Sequence, residues 1–229
     1  MAQKKTSVIS HKTGSKITLV DKKTAQKAMD LLCATYPDAD CELNYDSDFQ
    51  LLIAVILSAQ CTDQTINKVT AKLFKAYPTA QDLSEADIEH IKELIKASGY
   101  YNAKAKNIQA CAQMLATKYG GVVPTEHDKL TELPGVGRKT ANVVLGVAHG
   151  KPGWSVDTHV QRLCHRLGFS KELDPNKIEL DLQKLFPGQD WSKLSITIIW
   201  HGRRLCFARK PNCAACPVKA LCPSADSIK

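Results

Sequence analysis

The sequence has no apolar stretch long enough to cross a membrane. Its longest uninterrupted apolar run covers residues 51–57, whereas a membrane-spanning helix needs about 20 such residues. The basic residues near the N-terminus are not followed by the apolar stretch of a secretory signal. We therefore expect no membrane association. The expected location is the cytoplasm of a bacterium, associated with the nucleoid, or the nucleus if the source is a eukaryote.

Segments that alternate apolar and polar residues with period two are few, so strands are not expected. Apolar residues recur instead with helical spacing, and no repeat with the period of a solenoid is present. With 229 residues and 44% hydrophobic content, the chain can bury a sizeable core. The sequence therefore predicts an all-α fold, with helices over residues 24–36, 49–59, 63–76, 85–97, 102–119, 128–133, 139–149, 158–167, 178–186 and 191–206.

Acidic residues are absent from the first twenty positions, which contribute four lysines to a formal net charge of +8. This segment also lacks apolar periodicity, so residues 1–19 are predicted to form a disordered basic tail. In the remaining chain, basic residues cluster near the C-terminal cysteines: Arg203, Arg204, Arg209 and Lys210. Such a cluster suits a polyanion-binding face, and a solvated basic surface explains it equally well.

Nine cysteines in a chain of this type are not expected to form disulfides, because cytosolic thiols are kept reduced. Five are scattered without ligand spacing and are interpreted as small core or surface residues: Cys33, Cys41, Cys61, Cys111 and Cys164. The other four form the pattern Cys-x6-Cys-x2-Cys-x5-Cys at Cys206, Cys213, Cys216 and Cys222. Zinc and iron–sulfur are the candidates. The uneven spacing favours a 4Fe-4S cluster, since four-thiolate zinc sites usually show two close pairs.

A glycine-rich turn lies upstream of these cysteines, at residues 133–140. A helix ends at Pro134, the two glycines allow a tight turn with positive φ, and a new helix starts immediately. The free N–H groups of that helix start suit a phosphate group of nucleic acid. The candidate DNA contacts in the turn are Leu133, Gly135, Val136, Gly137, Arg138 and Thr140, and Arg209 and Lys210 in the short loop between the first two cysteines are added to them.

Lys139 stands in the first turn of that helix, where a positive charge opposes the helix dipole. A partly desolvated lysine beside Arg138 can act as a nucleophile that forms a Schiff base, and a plain phosphate contact is the alternative. Asp157 follows at the start of the next helix, where it can cap the helix and also stabilise a cationic sugar. We interpret Lys139 and Asp157 as the catalytic pair, and His159 as a local hydrogen-bonding partner.

With these motifs in this order, residues 22–229 resemble the endonuclease III family of helix-hairpin-helix DNA glycosylases. The segments 57–63 and 99–105 share the resemblance. It implies a six-helix barrel domain, 41–151, and a cluster domain made of 20–40 and 152–229, with DNA in the cleft between these two lobes. It further implies a monomer that acts on double-stranded DNA containing damaged pyrimidines or abasic sites.

The family's activity is removal of oxidised pyrimidines such as thymine glycol, followed by β-elimination on the 3′ side of the abasic sugar. The resemblance assigns Lys139 as the nucleophile, Asp157 as the catalytic acid, and Gln60 as the residue that fills the space of the flipped base. One departure is Tyr100, which stands where the family often has a leucine wedge.

Two other functions agree with parts of the sequence. An adenine mismatch glycosylase shares the fold and the cluster, but it lacks the lysine and uses a glutamate where this chain has Ala54. A non-catalytic DNA-binding module would use the hairpin for phosphate contacts and the cluster as a structural element. Lys139 together with Asp157 argues against both.

Overall fold

The computed structural model describes residues 17–225 and residue 227. Most of the predicted basic tail, residues 1–16, lies outside these residues. All regular secondary structure in the described part of the chain is helical, with no strand, which confirms the all-α prediction. The helices are α1 Lys22–Thr35, α2 Asp48–Leu57, α3 Asp63–Ala76, α4 Ala80–Ser84, α5 Ile88–Ile95, α6 Tyr101–Tyr119, α7 His127–Thr131, α8 Arg138–His149, α9 Thr158–Leu167, α10 Pro175–Leu185 and α11 Trp191–Arg204, with short 3₁₀ helices at Lys96–Ser98, Cys213–Ala215 and Lys219–Leu221.

None of the helices between residues 17 and 225 has both the length and the apolar character needed to cross a membrane.

Three helix assignments from the sequence needed correction. Helix α5 begins at Ile88, three residues after the predicted start, because Glu85 is the C-cap of α4 and Asp87 caps α5. Helix α4 was not predicted, although its capping box is visible in the sequence: the Thr79 side chain accepts from the Asp82 N–H, and the Asp82 carboxylate accepts from the Thr79 N–H. Helix α10 begins at Pro175, three residues before the predicted start, because Asp174 caps it and a proline is favourable at the first helical position.

A first apolar core is built from α2 to α8 around α2. All residues of α2 from Leu51 to Leu57 are almost fully buried, because this apolar run makes the helix apolar on every side and the other helices surround it. Ser47 caps this helix by accepting from the Gln50 N–H at 3.2 Å. The Gln50 side chain accepts from the Asp46 N–H rather than from that of Ser47.

A second core combines α1 with α9, α10 and α11. It contains residues from Ala25 to Ala39 and from Trp154 to Val218, with Trp154 and Phe186 as its largest fully buried side chains. The first core extends from Leu43 to Leu145. We therefore propose that the chain folds as the two domains 41–151 and 20–40 plus 152–229, a division that these two separate cores support.

The two cores meet at α8, which belongs to the first core and contacts helices of the second. Gly146 of α8 lies directly against Ser192 of α11, since a Cβ at this glycine would be 2.3 Å from Ser192 Oγ. Only a residue without a side chain allows the two helices to approach so closely.

A buried carboxylate strengthens the same junction. Glu179 of α10 is 4% exposed and accepts from Arg138 Nε at 2.6 Å and from Asn142 Nδ2 at 3.3 Å. Asn142 Nδ2 also donates to the Trp154 carbonyl at 2.7 Å. These bonds connect the first two turns of α8 to the second core, so the residues at the start of α8 have a fixed position relative to both lobes.

Candidate functional site

The hairpin between α7 and α8 ends in an uncapped helix. Gly137 is the N-cap of α8 and no side chain there accepts a hydrogen bond from the first turn. The N–H groups of that turn therefore face solvent with the positive end of the helix dipole. Among the two glycines, only Gly135 has a positive φ, +80°, whereas Gly137 is extended at φ −93°. The expectation that both glycines adopt positive φ was thus wrong for Gly137.

The six predicted DNA contacts of the turn do not all face outward. Leu133 and Val136 are 2% and 6% exposed and pack in the first core, so only their backbone can contact a ligand. They were predicted as DNA contacts because they belong to the motif. Apolar residues that flank a tight turn more often anchor the turn in the core. Gly135 and Gly137 are exposed, Thr140 is half-buried, and Arg138 is held by Glu179.

Lys139 and Asp157 line one open cleft between the two cores. Helix α8 provides Lys139, and the segment that connects α8 to α9 provides Asp157. The cleft is also lined by Ser58, Asp63, Ser155, Trp200 and Arg203. Lys139 itself is exposed. The partial desolvation expected from the sequence is therefore not provided by the protein alone, and a molecule that fills the cleft has to exclude the water.

Asp157 has a structural role that leaves part of its carboxylate free. Its Oδ1 atom accepts from the N–H groups of His159 and Val160, each at 2.8 Å, which caps α9. Oδ2 has no hydrogen-bond partner among the described residues. The capping bonds fix the side chain at the wall of the cleft, so the second oxygen is oriented before any ligand arrives.

His159 is half-buried next to Arg162, whose Nη2 atom lies 3.1 Å from His159 Nδ1. Burial lowers the pKa of His159, against the opposing effect of Asp157. The side chain does not line the cleft. This position agrees with the local role expected from the sequence.

Three exposed residues outside the cleft lining have a strained backbone. Within the described residues, the non-glycine residues with positive φ are Gln60 at 55°, Tyr100 at 48° and Lys210 at 49°. All three are among the predicted DNA contacts, and Tyr100 is 72% exposed. Such conformations cost about 1–3 kcal/mol each and persist mainly where function requires a particular side-chain direction. The amino-acid sequence carries no sign of this strain, because these residue types are ordinary ones.

An ion cluster at the cleft was not found by sequence reasoning. Arg203 of α11 contacts Glu42 at 2.5 Å and Asp63 at 2.6 Å, and Arg204 contacts Glu42 at 3.3 Å. The sequence left a polyanion-binding face and a solvated basic surface as equal alternatives for these two arginines, and in the structure acidic side chains engage both. Asp63 starts α3, three residues after Gln60, so the cluster links the Gln60 segment to α11.

The four C-terminal cysteines are gathered at the end of α11, each as a half-buried free thiol. Burial raises the pKa of Cys216 and Cys222, and their charge interaction with Cys206 and Cys213 raises it further. The four sulfur atoms therefore share one location, where deprotonated thiolates need a metal to stabilise them.

This ligand set fits an iron–sulfur cubane better than a single metal ion. Among the described residues, no three His, Cys, Asp or Glu side chains converge closely enough to bind one ion. In a cubane each thiolate binds a different iron, so the sulfurs stand further apart than the ligands of one zinc ion. The group would be held by Cys206, Cys213, Cys216 and Cys222.

Arg166 fixes the loop between the first two of these cysteines. Its guanidinium donates to Cys206 Sγ at 3.2 Å, to the Phe207 carbonyl at 2.7 Å and to the Ala208 carbonyl at 2.9 Å. Arg209 and Lys210 follow as exposed residues. The loop thus presents two cations on a backbone that is held at its N-terminal end.

Comparisons with known proteins place these features in one family. Residues 53–188 match the model of the HhH-GPD superfamily base excision DNA repair protein, and residues 206–222 match the iron-sulfur binding domain of endonuclease III. The chain is 50% identical to endonuclease III of Synechocystis sp. over 207 residues, which cover 90% of this chain and 94% of that protein.

Two solved structures agree with this similarity. One is a non-covalent endonuclease III–DNA complex and the other a trapped endonuclease III–DNA covalent intermediate with an estranged adenine. Each has a TM-score of 0.88 and 43% identity and covers 91% of this chain; the matches cover 98% and 99% of the solved chains.

The hairpin turn makes a prediction that separates its two glycines. Gly135→Ala should destabilise the protein by at least about 1–2 kcal/mol, because an L-residue is strained at φ +80° and its Cβ would lie 3.0 Å from Asn107 Cβ. Gly137→Ala is the matched control: it has an ordinary φ and open space, so it should lose only the preference of the N-cap for glycine over alanine, about 0.5 kcal/mol. Urea unfolding measures both. Equal losses in the two variants would show that Gly135 is not special.

The cysteine cluster makes a second prediction. Cys213→Ser should remove the visible absorbance and the iron of the purified protein and lower the melting temperature, because one thiolate ligand is lost. Cys33→Ser is the control, since Cys33 is a half-buried residue of α1 outside the cluster. It should keep the iron. Normal iron content and melting in Cys213→Ser would remove Cys213 from the ligand set.

Proposed function

The chain belongs to the endonuclease III family within the HhH-GPD superfamily of base excision DNA repair proteins, and we propose on this premise that Lys139 and Asp157 carry its chemistry. Its function is that of a bifunctional DNA glycosylase and AP lyase that removes oxidised pyrimidines such as thymine glycol. The observation that supports the residue assignment most directly is that Lys139 and Asp157 line one cleft. The cleft opens beside a helix start whose N–H groups are free for phosphate.

Catalysis begins when a damaged nucleotide leaves the duplex and its sugar enters the cleft. A damaged base stacks and pairs poorly, so its extrusion costs less than that of a normal base. The unpaired amine of Lys139 attacks C1′ of the sugar, and the bond from C1′ to the base breaks. The base leaves with the bonding electrons and takes up a proton. The product is a covalent bond between Lys139 Nζ and C1′.

Asp157 acts on the charge that this step creates. Its free carboxylate oxygen stabilises the cationic sugar as the base departs, and it moves the proton that the lysine amine must lose. The sugar ring then opens to an imine between C1′ and Nζ. Loss of a proton from C2′ breaks the bond from C3′ to its phosphate, which is β-elimination. Water hydrolyses the imine and restores Lys139.

Several exposed groups are suited to hold the DNA around this centre. The first turn of α8 provides N–H groups for one backbone phosphate, and Arg209 and Lys210 provide cations for another. Gln60 fills the space of the extruded base, and Tyr100 inserts beside it as the wedge. Both residues are exposed and have a positive φ, an unfavourable backbone conformation of the kind that clusters at binding sites, and this supports the assignment.

The cofactor is an iron–sulfur cluster, bound within residues 206–222. We assign Cys206, Cys213, Cys216 and Cys222 as its ligands. Held by these four cysteines, it would connect the end of α11 to the C-terminal segment, and Cys206 and Cys213 would attach the loop with Arg209 and Lys210 at both ends. Its role in this proposal is to preorganise phosphate contacts.

The two other functions considered from the sequence are less well supported. Ala54, which replaces the glutamate of adenine glycosylases, is fully buried and carries no group for proton transfer. A purely DNA-binding module would not need a carboxylate held beside a lysine at the wall of a cleft. The proposed partner is double-stranded DNA with damaged pyrimidines or abasic sites. The proposed working form is a monomer in the bacterial cytoplasm, at the nucleoid.

Borohydride trapping tests the role of Lys139. The protein should form a covalent adduct with a duplex that carries one thymine glycol, because borohydride reduces the imine to a stable amine. Lys139→Ala should form no adduct and cut no strand. Lys184→Ala is the control, because Lys184 is an exposed lysine of α10 outside the cleft. Gel shift and peptide mapping are the measurements. An adduct that persists in Lys139→Ala would assign the nucleophile to another residue.

Substitution of Asp157 separates its two roles. Asp157→Asn should retain stability within about 0.5 kcal/mol, because asparagine caps a helix as well as aspartate does. It should lower the single-turnover rate of base release by about 100-fold or more, because the carboxylate charge is lost. Asp157→Ala should show the same rate loss and in addition about 1 kcal/mol of destabilisation. If Asp157→Asn released the base at the normal rate, Asp157 would be only a cap.

A further inference from the structure

His201 connects the second core to one of the proposed cluster ligands. It lies in the last turn of α11, is 1% exposed, and its ring is in contact with groups on both sides. Nδ1 is 3.1 Å from the hydroxyl of Tyr36, and Nε2 is 3.5 Å from Cys216 Sγ. The proposed reaction does not use the side chains of His201 and Tyr36. Cys216 contributes to it only as a proposed ligand of the cluster.

The chemistry of the ligand decides which ring nitrogen carries the hydrogen. A cysteine that binds iron is a thiolate, so Cys216 has no hydrogen to donate and its sulfur can only accept. The Nε2 atom must therefore be the donor. The Tyr36 hydroxyl can then donate to Nδ1, which leaves both nitrogens of the buried ring satisfied. The opposite tautomer would place two acceptors, Nε2 and the thiolate, in direct contact.

We propose that His201 is a positioning residue for the iron–sulfur cluster: its Nε2–H donates a hydrogen bond to Cys216 Sγ, the Tyr36 hydroxyl fixes this tautomer, and the bond raises the reduction potential of the cluster. The inference rests on the proposed assignment of Cys216 as a ligand. A hydrogen bond to a ligand sulfur stabilises the more electron-rich state of the cluster, so it favours reduction.

The groups around the imidazole ring of His201 hold it in one orientation. Tyr36 follows α1, is 8% exposed, and has its ring 5.9 Å from the ring of His201 and 6.4 Å from that of Trp200. Cys206 receives a donor from Arg166 at 3.2 Å, so Cys206 and Cys216 both face N–H donors. Arg166 also holds three backbone carbonyls of the cluster loop, at Cys206, Phe207 and Ala208, whereas His201 holds none of them. A change at His201 therefore alters the sulfur environment without releasing that loop.

Voltammetry of the iron-loaded protein tests the proposal with two variants of the same residue. His201→Leu removes the donor and should lower the reduction potential relative to the unchanged protein. His201→Gln can place an amide N–H near the position of Nε2 and should keep the potential close to the original value. The stretching frequency of the iron–thiolate bonds in resonance Raman spectra should rise in His201→Leu and not in His201→Gln, because a hydrogen bond weakens these bonds.

Thr197→Val is the matched control on the same helix. Thr197 is fully buried, and its hydroxyl donates to the Lys193 carbonyl of α11 itself. This variant loses a buried polar group without changing a ligand sulfur, so its potential should not shift. Equal shifts in Thr197→Val and His201→Leu would overturn the proposal in favour of a general packing effect. An unchanged potential in His201→Leu would also overturn it.

If His201→Leu loses its iron, a measurement on the unchanged protein can still test the proposed hydrogen bond from His201 to Cys216. Nuclear magnetic resonance of isotope-labelled histidine in the iron-loaded protein should show His201 with hydrogen on Nε2, and hydrogen on Nδ1 alone would overturn the proposal. The proposed enzymatic function is judged separately by borohydride trapping. A potential that shifts in a protein without trapping activity would contradict the function and leave the role of His201 standing.

Discussion

The geometry of the site depends on the junction that one buried carboxylate makes between the two cores. Glu179 accepts hydrogen bonds from Arg138 and Asn142 of α8, and Asn142 also holds the backbone at Trp154. Asp157 follows Trp154 by three residues. The same few bonds therefore determine where α8 starts and where the segment that carries Asp157 leaves it. Without them, the remaining contacts between α8 and α11, such as that of Gly146 with Ser192, would have to hold the lysine and the aspartate in place.

Rigid cores also explain where the chain can maintain unfavourable conformations. Gln60, Tyr100 and Lys210 have positive φ although they are not glycines. Packing energy of the cores exceeds the cost of about 1–3 kcal/mol for such a residue. In the proposed complex these three residues contact the DNA together with the start of α8. Local strain, the cleft and the uncapped helix start thus all support the same DNA-binding face.

Much of this arrangement follows from local sequence. Helix positions and the buried character of α2 are visible in the apolar spacing, and the turn before Lys139 and the cysteine spacing indicate phosphate and metal chemistry. Long-range contacts were not accessible in this way. Nothing local indicates that Arg203 contacts Glu42 and Asp63, residues 161 and 140 positions away. Likewise, the motif at residues 133–140 does not reveal that Leu133 and Val136 face the core. An apolar side chain in such a turn can either pack in the core or contact the DNA.

The most direct test of the account is a crystal structure of the borohydride-trapped complex between this protein and a duplex containing thymine glycol. We expect continuous electron density from Lys139 Nζ to C1′ of the opened sugar, with the free oxygen of Asp157 beside it. Gln60 should occupy the position of the missing base and Tyr100 should stand between neighbouring bases. A sugar bonded to a different residue, with Lys139 on a backbone phosphate, would contradict the account.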